Sequence, residues 1–203
     1  MISIKNKILE VTYEKFSKKG YSTSLREIAK SAGLKKQSLY NYFNSKDELF
    51  SEMIESEVQK HFNKRLIDLN SYKNLEKVEQ LKQIYMSIVD SYRDMDKLRF
   101  WKRLLLIENE VLLIRTKLYI KEYEGIFTKK LREILLEILT EKPGTEKYLN
   151  RILLSYMSLI HGVLDGYLLY GDEDDFDTYI EEIWQFFWQG LQCYLNMEIS
   201  PEQ

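Results

Sequence analysis

The scarcity of proline is the feature that most constrains how this chain can fold. Its 203 residues include only two prolines, and the first of them is Pro143. A proline inside a helix removes a backbone hydrogen bond and clashes with the preceding turn, so a long stretch without proline permits long, uninterrupted helices. Leucine, isoleucine, lysine and glutamate are abundant and valine is sparse, which favours helix over strand. We therefore predict an all-α protein of about nine helices.

Composition excludes several classes of protein. A hydrophobic fraction of 44% is typical of a folded chain, and the length allows one or two domains. No continuous apolar run reaches the ~18 residues of a membrane span, and Met1–Lys7 lacks the apolar core of a signal peptide, so we expect a cytoplasmic protein. The single cysteine, Cys193, has no disulfide partner in the chain, and we expect it to pack in the core. No metal site and no cofactor are predicted.

The charges are distributed unevenly along the chain. Residues 1–50 contain ten basic and five acidic side chains, giving +5, whereas residues 51–203 carry −7, for a total of −2. A basic N-terminal segment on an acidic body is typical of a protein that binds nucleic acid at one end. The alternative is that the basic residues cluster there by chance.

Periodicity and capping residues predict three short helices in the basic segment. The first, Ile4–Lys18, has an inward-facing stripe of Ile4, Ile8, Thr12 and Phe16, and Gly20 caps its C-terminus. The second, Leu25–Ala32, begins with a capping box at Ser24–Glu27 and ends at Gly33. The third runs from Lys36 to about Phe43, and a second capping box, Ser45–Glu48, begins a long fourth helix. Two helices joined by a short turn that contains glycine predict a helix-turn-helix.

The residues from Ile8 to Phe50 strengthen this prediction. Their central part, SLREIAKSAGLKKQSLYNYFNSKDELF, resembles the DNA-binding domain of the TetR (tetracycline-repressor) family of bacterial transcription regulators. The pairs that carry the resemblance are Ile28-Ala29, Ala32-Gly33, Leu39-Tyr40, Tyr42-Phe43 and Ser45-Lys46. One departure is Lys35, where the family often has a serine that caps the recognition helix. The resemblance implies a DNA-binding domain over residues 1–48 and a ligand-binding and dimerisation domain over 49–203.

The resemblance also assigns roles in DNA binding. Lys36 and Gln37 open the recognition helix, where the family reads bases, and lysine suits guanine whereas glutamine suits adenine. Ser24, Tyr42 and Lys46 match positions that contact phosphate. The whole set of predicted DNA-binding residues comprises Ser24, Arg26, Lys35, Lys36, Gln37, Ser38, Tyr40, Asn41, Tyr42 and Lys46. The alternative is that the tyrosines pack in the core and the lysines are merely solvated.

Six further helices are predicted beyond residue 45. Their approximate ranges are 46–68, 75–93, 97–107, 111–140, 146–170 and 178–196, with Lys142-Pro143-Gly144 as the clearest turn and Thr145 as an N-cap. In the TetR family the last two helices pair with those of a second copy, so that two recognition helices lie one groove repeat apart. The predicted homodimer interface consists of Ile152, Ile160, Val163, Tyr167, Ile183, Trp184, Phe187 and Leu191. The alternative is that these residues complete the core of a monomer.

The resemblance further implies a small-molecule effector that lowers the affinity for a palindromic operator. The aromatic residues that could line an apolar pocket are Tyr85, Tyr92, Phe100, Trp101, Tyr119, Tyr123, Phe127 and Tyr156. His161 and Asp165 share one helix face and add a polar pair, which either has a structural role or contacts the ligand. Aromatic walls with one buried acid would suit a lipophilic cation. Plain core packing is the alternative for the aromatic residues.

Other motifs argue against further functions. The acidic run that begins at Asp172 does not fit an EF-hand, because Asp177 and Ile183 occupy the positions that require glycine and glutamate. His61 stands alone in a helix and is expected on the surface. No nucleophile elbow, phosphate loop or zincin motif is present, so the chain is not expected to be an enzyme. The main alternative to a ligand-responsive repressor is a DNA-binding structural or interaction protein of the same fold that acts through a protein partner; an activator is also open.

Overall fold

The described part of the chain is all-α, as predicted. The computed structural model describes residues 3–139, 148–170 and 175–196, and these contain nine α-helices and no strand. The helices are α1 (Ile4–Lys19), α2 (Leu25–Ala32), α3 (Lys36–Leu39), α4 (Lys46–Ser71), α5 (Lys77–Asp90), α6 (Met95–Leu104), α7 (Glu110–Leu139), α8 (Leu149–Tyr170) and α9 (Phe176–Asn196). The predicted turn at 142–144, the cap at Thr145 and residues 172–174 of the acidic run lie outside the described residues.

Contacts divide the chain into two compact units. Unit 1 comprises residues 1–64 and 93–126, and unit 2 comprises residues 65–92 and 127–203. Helices α4 and α7 therefore each contribute residues to both units. The predicted domain boundary at residue 48 differs from these packing units, and it stays a prediction.

Unit 1 begins with the three short helices that form the N-terminal head, residues 3–45. The predicted stripe of α1 buries Ile8, Thr12 and Phe16, but Ile4 is 51% exposed, since it lies in the first helical turn. The hydroxyl of Thr12 donates to the carbonyl of Ile8 at 2.7 Å, so this polar side chain is satisfied inside the core. Leu39 anchors α3 in the same core, where it is only 1% exposed.

The capping residues fix where the helices of the head begin and end. Ser24 and Glu27 form the predicted capping box: the Ser24 hydroxyl accepts from the Glu27 amide at 3.2 Å, and Glu27 accepts from the Ser24 amide at 3.0 Å. Gly33 ends α2 with a φ of 76°, a conformation that favours glycine. Only one of the two bonds of the second capping box forms as predicted: the Ser45 hydroxyl accepts from the backbone amide of Glu48. The Glu48 carboxylate accepts from the backbone amide of Asn44 and not from that of Ser45.

Within unit 1, α6 holds the end of α1 through Arg103. The guanidinium donates from Nε to the Ser17 carbonyl at 2.8 Å and from Nη2 to the Lys18 carbonyl at 2.5 Å. These are two of the carbonyls that a helix leaves unpaired at its C-terminus. An aromatic cluster supports the contact, with the ring of Phe100 5.1 Å from that of Tyr13 and 5.6 Å from that of Phe16.

A second network ties the start of α7 to the start of α4. Asn109 caps α7 by accepting from the Leu112 amide at 2.9 Å, and its side-chain amide donates to Asp47 at 3.3 Å. The Tyr21 hydroxyl donates to the other oxygen of Asp47. Burial and the hydrogen bond to Asp47 raise the pKa of Tyr21 to about 12, so the phenol stays protonated and keeps donating at neutral pH.

Unit 2 is built around buried tyrosines whose hydroxyls bond to backbone. Tyr85 donates to the Ile180 carbonyl of α9 at 3.0 Å, and Tyr156 donates to the Leu81 carbonyl of α5 at 2.9 Å. Burial raises the pKa of both phenols. Each bond joins two helices: Tyr85 links α5 to α9, and Tyr156 links α8 to α5. The two tyrosines therefore help to hold these three helices together.

Unit 2 also buries a cation. Arg65 is only 2% exposed, and its guanidinium donates to the Ser87 carbonyl at 3.1 Å and to the Ser91 hydroxyl. Its nearest carboxylate oxygen, on Asp68, is 3.6 Å from Nη1, and Nε has no hydrogen-bond partner among the described residues. Burial lowers the pKa of this guanidinium. A buried charge that is only partly paired is costly, and it therefore needs an explanation.

Two expectations about single features were wrong. Cys193 is exposed on α9 instead of packing in the core. His61 is half-buried instead of lying on the surface, because its ring lies 4.6 Å from that of Trp101 on α6. Among the described residues, one helix segment, Leu149–Leu169, is long and apolar enough to cross a membrane by length and composition, although no continuous apolar run of that length occurs in it. This helix packs against α5 and α9 of unit 2, and a core helix passes the same test.

Candidate nucleic-acid interface

The predicted recognition helix is shorter than the sequence indicated. The α-helix covers Lys36–Leu39, and residues 40–42 continue it as turns whose amides bond three residues back, such as Tyr40 to Gln37 at 3.2 Å. Its N-cap, Lys35, forms no side-chain cap hydrogen bond, as the departure from the family's serine predicted. A helix without a side-chain cap loses part of its stabilisation and readily tightens into i,i+3 turns.

Most of the predicted DNA-binding side chains face outward. Seven are exposed and three are half-buried. The exposed set comprises Ser24, Arg26, Lys35, Lys36, Gln37, Tyr40 and Asn41, and the half-buried set comprises Ser38, Tyr42 and Lys46. Tyr40 is an exposed aromatic residue, which excludes the alternative that it is a core residue. The surface of α3 therefore presents hydrogen-bonding and cationic groups together, as base and phosphate contacts require.

Lys46 is placed differently from the prediction. Its ammonium donates to the Tyr21 carbonyl at 2.6 Å and lies over the Tyr21 ring at 4.2 Å. Burial lowers the pKa of Lys46, and the neighbouring Asp47 opposes this shift. In this conformation the side chain joins α4 to the turn after α1, and the predicted phosphate contact stays a prediction.

The hydroxyl of Ser24 is also engaged within the head. It accepts from the Glu27 amide and lies 3.0 Å from the Glu27 carboxylate. Glu27 is held in turn by Lys19 of α1. The hydrogen bonds to Lys19 and to Ser24 lower the pKa of Glu27 to about 2, so this carboxylate stays charged throughout the neutral range.

Sequence reasoning missed the residues that support this surface from outside the head. Arg103 and Asn109 lie more than sixty positions from the groups that they bond, Ser17, Lys18 and Asp47. Neither belongs to a local motif. Only knowledge of which helices pack together reveals their contacts, so no signal in the sequence could have identified them.

The ten predicted ligand-binding residues are divided between the two units. Phe100, Trp101, Tyr119 and Tyr123 belong to unit 1, whereas Tyr85, Tyr92, Phe127, Tyr156, His161 and Asp165 belong to unit 2. In unit 2 the aromatic members are buried core residues. His161 and Asp165 are exposed on α8, so the buried acid expected for a lipophilic cation is absent from this position.

The predicted dimer residues prove to be mainly packing residues of the single chain. Six of them are at most 9% exposed: Ile152, Ile160, Val163, Tyr167, Trp184 and Leu191. Ile183 and Phe187 are half-buried. Such residues contribute to the stability of unit 2 itself, and a second chain could reach them only at their edges.

An apolar groove nevertheless runs between α8 and α9. Its volume is about 770 Å³, and four predicted dimer residues, Ile152, Ile183, Phe187 and Leu191, line it. Phe186, another lining residue, is 81% exposed and forms an apolar rim of the groove. Leu154 on α8 is 67% exposed but does not line the groove. Exposed apolar side chains beside an apolar groove are typical of an interaction surface.

Comparison with known proteins agrees with the reading of the head. Residues 8–53 match the sequence model of bacterial regulatory proteins of the tetR family. Over 54 residues the chain is 39% identical to the biofilm operon icaADBC HTH-type negative transcriptional regulator IcaR of Staphylococcus epidermidis, which is 26% of this chain and 29% of that protein. The chain spans 40% or less of the length of the curated relatives that it matches.

Solved structures resemble the chain over most of its length. The fatty acid degradation regulator FadR from Bacillus halodurans has a TM-score of 0.73 at 18% identity, covering 94% of this chain and 97% of that one. The transcriptional regulator FadR from Bacillus subtilis, solved in complex with stearoyl-CoA, has a TM-score of 0.67 at 16% identity, covering 90% and 96%. At these identities the likeness shows the fold alone. The matched proteins are regulators, in agreement with the expectation that the chain is not an enzyme.

Proposed function

We propose that the chain, whose residues 8–53 match the tetR family model, is a cytoplasmic, homodimeric transcription regulator of that family that represses from a two-fold symmetric operator. The observation that carries the proposal is the exposed surface of α3, with Lys36, Gln37 and Tyr40 projecting from a capped and packed head. Repression is favoured because the relative from Staphylococcus epidermidis is itself named a negative regulator.

The proposed contacts divide into two kinds. Lys36 and Gln37 at the start of α3 read base edges in the major groove, where lysine donates to guanine and glutamine pairs with adenine. Lys35, Asn41 and Tyr42 flank them and contact phosphate, which fixes the register and supplies affinity that depends on salt. Lys46 reaches phosphate only by leaving the Tyr21 carbonyl, so its contribution is smaller than that of an unengaged lysine.

A homodimer is supported by the apolar groove between α8 and α9. We propose that Phe186 and Leu154 of one chain cover this groove on a second chain around a two-fold axis. The residues predicted from the sequence would then form the floor of the interface instead of its contact surface. Two heads joined in this way bind both half-sites of an operator at once, which raises the affinity through effective concentration.

The proposed effector is an amphipathic anion. Arg65 places a buried, partly paired positive charge in unit 2, which favours an anionic over a cationic ligand. One structural neighbour was solved with stearoyl-CoA, so acyl-CoA thioesters and long-chain fatty acids are the first compounds to test. An effector acts only if it binds the DNA-free state more tightly than the DNA-bound state.

Selection from a random pool of DNA duplexes tests the core of the proposal. The full chain should enrich a palindromic sequence with half-sites about one helical turn apart. Adding stearoyl-CoA or oleate should then raise the apparent Kd for that duplex. Enrichment of no sequence at all, in a preparation that is folded by circular dichroism, would contradict the proposed function.

The alternative, a DNA-binding protein that acts through a protein partner without an effector, has one observation in its favour. Val111, Ile114 and Leu118 form an exposed apolar stripe on α7 within unit 1. Retention of the operator in the presence of every acyl compound, together with loss of repression in cells when Ile114 and Leu118 are replaced by serine, would favour this alternative.

A further inference from the structure

We propose that the exposed apolar stripe of α7 in unit 1 binds the same stripe on a second copy of the chain, with the two helices antiparallel. The α7 stripe consists of Val111, Ile114 and Leu118, which are 61%, 59% and 59% exposed. It belongs to unit 1 and to a different helix from the groove of α8 and α9. The inference therefore goes beyond the proposed function, because it adds a separate contact and does not depend on an effector.

The α7 stripe lies on the side of the helix that the chain itself leaves uncovered. Its residues recur at spacings of three and four, so their side chains share one face of the helix. The opposite face packs within unit 1, where Leu112 and Thr116 are buried. In the turn before α7, Leu105 and Leu106 are also more than 70% exposed. Such a concentration of exposed apolar side chains is typical of an interaction surface.

Charged side chains follow one edge of the α7 stripe. Glu110, Lys117 and Lys121 are exposed, and their positions fall within about 40° of one another around the helix axis. Glu110 precedes Lys117 by seven residues, roughly 10 Å along the axis, which is too far for an ion pair within one chain. Among the described residues, none of the three forms a salt bridge. This edge therefore carries charges of both signs whose partners the single chain does not supply.

An antiparallel pair of α7 helices brings these charges together. With the two-fold axis close to Ile114, Val111 of one copy lies opposite Leu118 of the other, and the apolar side chains form one continuous contact. A two-fold axis between antiparallel helices places equal edges beside each other. Glu110 then lies opposite the midpoint between Lys117 and Lys121 of the second copy, within roughly 3 Å of each along the axis. The symmetry repeats this contact, so both carboxylates lie between two ammonium groups.

Other occupants fit the α7 stripe less well. A parallel pair would bring Lys117 beside Arg115 and Glu110 beside Glu108, both with like charge, and would gain one opposite pair at the end of the stripe. An anionic lipid surface would attract the lysines but repel the exposed carboxylates along the same stripe. A different protein would need a matching pattern of charges, which α7 itself already supplies. Charge complementarity therefore favours a second copy in antiparallel orientation.

The second edge of the α7 stripe limits the strength of the contact. Arg115 lies there close to the two-fold axis and would approach its own counterpart, while Glu122 would lie near Glu108 of the second copy. All three side chains are exposed. They can extend into solvent, where like charges repel one another only weakly. Removing the repulsion between the two Arg115 side chains should therefore strengthen the contact.

The extent of the apolar surface indicates a weak association. The five exposed apolar side chains between Leu105 and Leu118 present roughly 600 Å² per copy, which is below the ~800 Å² per partner of a typical stable interface. We therefore expect a Kd on the order of 100 µM. Free copies at low concentration stay apart, so the contact would act mainly between copies that are held close together, as on neighbouring operators.

Sedimentation velocity of the full chain tests the contact. The Phe186→Glu variant is used, so that the proposed α8–α9 dimer does not contribute, and its mass should rise toward that of a dimer between about 10 and about 500 µM. Adding Ile114→Glu should weaken this association at least roughly tenfold, because it buries a charge at the centre of the contact. Ile126→Glu is the matched control, since Ile126 is an exposed isoleucine of α7 outside the stripe.

The same measurement separates this contact from the proposed function. If Phe186→Glu itself remains dimeric at low concentration, the proposed α8–α9 dimer is wrong. The Ile114→Glu change is then compared with the parent chain, where it should remove the step from dimer to tetramer and leave the dimer in place. The two contacts can therefore fail independently.

Exchange of charges tests the antiparallel register. Glu110→Lys makes the charged edge entirely cationic, and the double change Lys117→Glu with Lys121→Glu makes it entirely acidic. Each variant alone should associate at least roughly fivefold more weakly than its parent, whereas an equimolar mixture of the two should associate at least as well as the parent. Arg115→Gln should strengthen association about twofold to threefold. Neither the recovery nor the gain can arise from partial unfolding.

Four results would overturn the proposal. The first is a mass that does not rise with concentration, which would leave the α7 stripe to a different protein. The second is association that Ile114→Glu leaves unchanged. The third is a mixture of the two charge variants that associates no better than either variant alone. The fourth is binding of the chain, without self-association, to vesicles of phosphatidylglycerol and phosphatidylcholine, if Ile114→Glu abolishes it. None of these results bears on operator selection, which tests the proposed function separately.

Discussion

The head and the α8–α9 region of unit 2 differ in which side chains they expose to solvent. The head buries its apolar residues and turns lysine, glutamine and tyrosine side chains to solvent. In the other region, Phe186 and Leu154 are exposed, and elsewhere in unit 2 the cationic Arg65 of α4 is buried. The head therefore presents a polar surface that suits water and phosphate. The α8–α9 region leaves large apolar side chains in water, which the proposed dimer would cover.

The largest expected effect follows from introducing a charge on the exposed apolar rim. Phe186→Glu should convert the proposed dimer into a monomer and reduce operator affinity by ~100-fold or more, because each head then binds alone. Size-exclusion chromatography with light scattering and gel shifts would measure both effects.

Gln192→Glu is the matched control for Phe186→Glu. It places the same charge on α9, on the side that lines a separate cleft of about 340 Å³. A dimer that persists in Phe186→Glu would show that the exposed apolar rim has another purpose, and the comparison between the two regions would then lose its basis.

A second prediction concerns the buried cation. Arg65→Met removes one partner from a buried ionic network and leaves Asp68 near Ser87 without its positive neighbour. We expect the free energy of unfolding to fall by about 3–5 kcal/mol. Urea denaturation measures the change, and Lys129→Met on an exposed face serves as control.

If Arg65→Met proves as stable as the parent, the charge is unnecessary for folding. Its retention in the sequence would then support a role in binding the anionic effector. If the variant unfolds readily, the buried charge is part of what holds unit 2 together.

The third prediction divides the DNA contacts. Lys36→Ala should cost about 1–3 kcal/mol on the selected operator and little on a scrambled duplex, because it removes a base contact. Lys46→Ala should weaken both duplexes alike and by less, since its ammonium already bonds the Tyr21 carbonyl. Gel shifts over a series of salt concentrations would separate the two. A loss of base preference in Lys46→Ala would contradict the assignment.

The smallest expected effect is a pH dependence in the head. Hydrogen bonds to Lys19 and Ser24 lower the pKa of Glu27 from 4.5 to about 2, so its contribution to stability is complete above pH 4.5 and disappears as the pH falls toward 2. The difference in Tm between the parent and Glu27→Gln should therefore shrink over this interval. Glu10→Gln on α1 is the control, and a difference that does not change with pH would refute the explanation.

The sequence predicted the helices better than their partners. The bounds of α1 and α2 were correct to within a residue, because Ser24, Gly20 and Gly33 mark them through local chemistry. The length of α3 was overestimated, since periodicity continues through Phe43 while the backbone tightens after Leu39. Capping residues therefore located the helix ends that they mark, whereas periodicity alone did not locate the end of α3.

Predictions that depend on which helix faces which were weaker. The apolar seam of α8 and α9 was identified, but residues such as Ile160 and Trp184 serve the chain's own core, while Phe186 is exposed. Helical spacing of apolar residues does not distinguish packing within one chain from packing between two chains. The aromatic residues chosen for the ligand pocket fall in two units for the same reason.

The tether from Arg103 to α1 has a consequence for engineering. A chimeric regulator could be attempted by joining residues 1–48 to a different ligand-binding domain. A head transplanted without α6 would leave the carbonyls of Ser17 and Lys18 without the guanidinium that they bond here. The transplantable piece is therefore discontinuous in sequence, and a working chimera has to carry residues 93–126 along with the head.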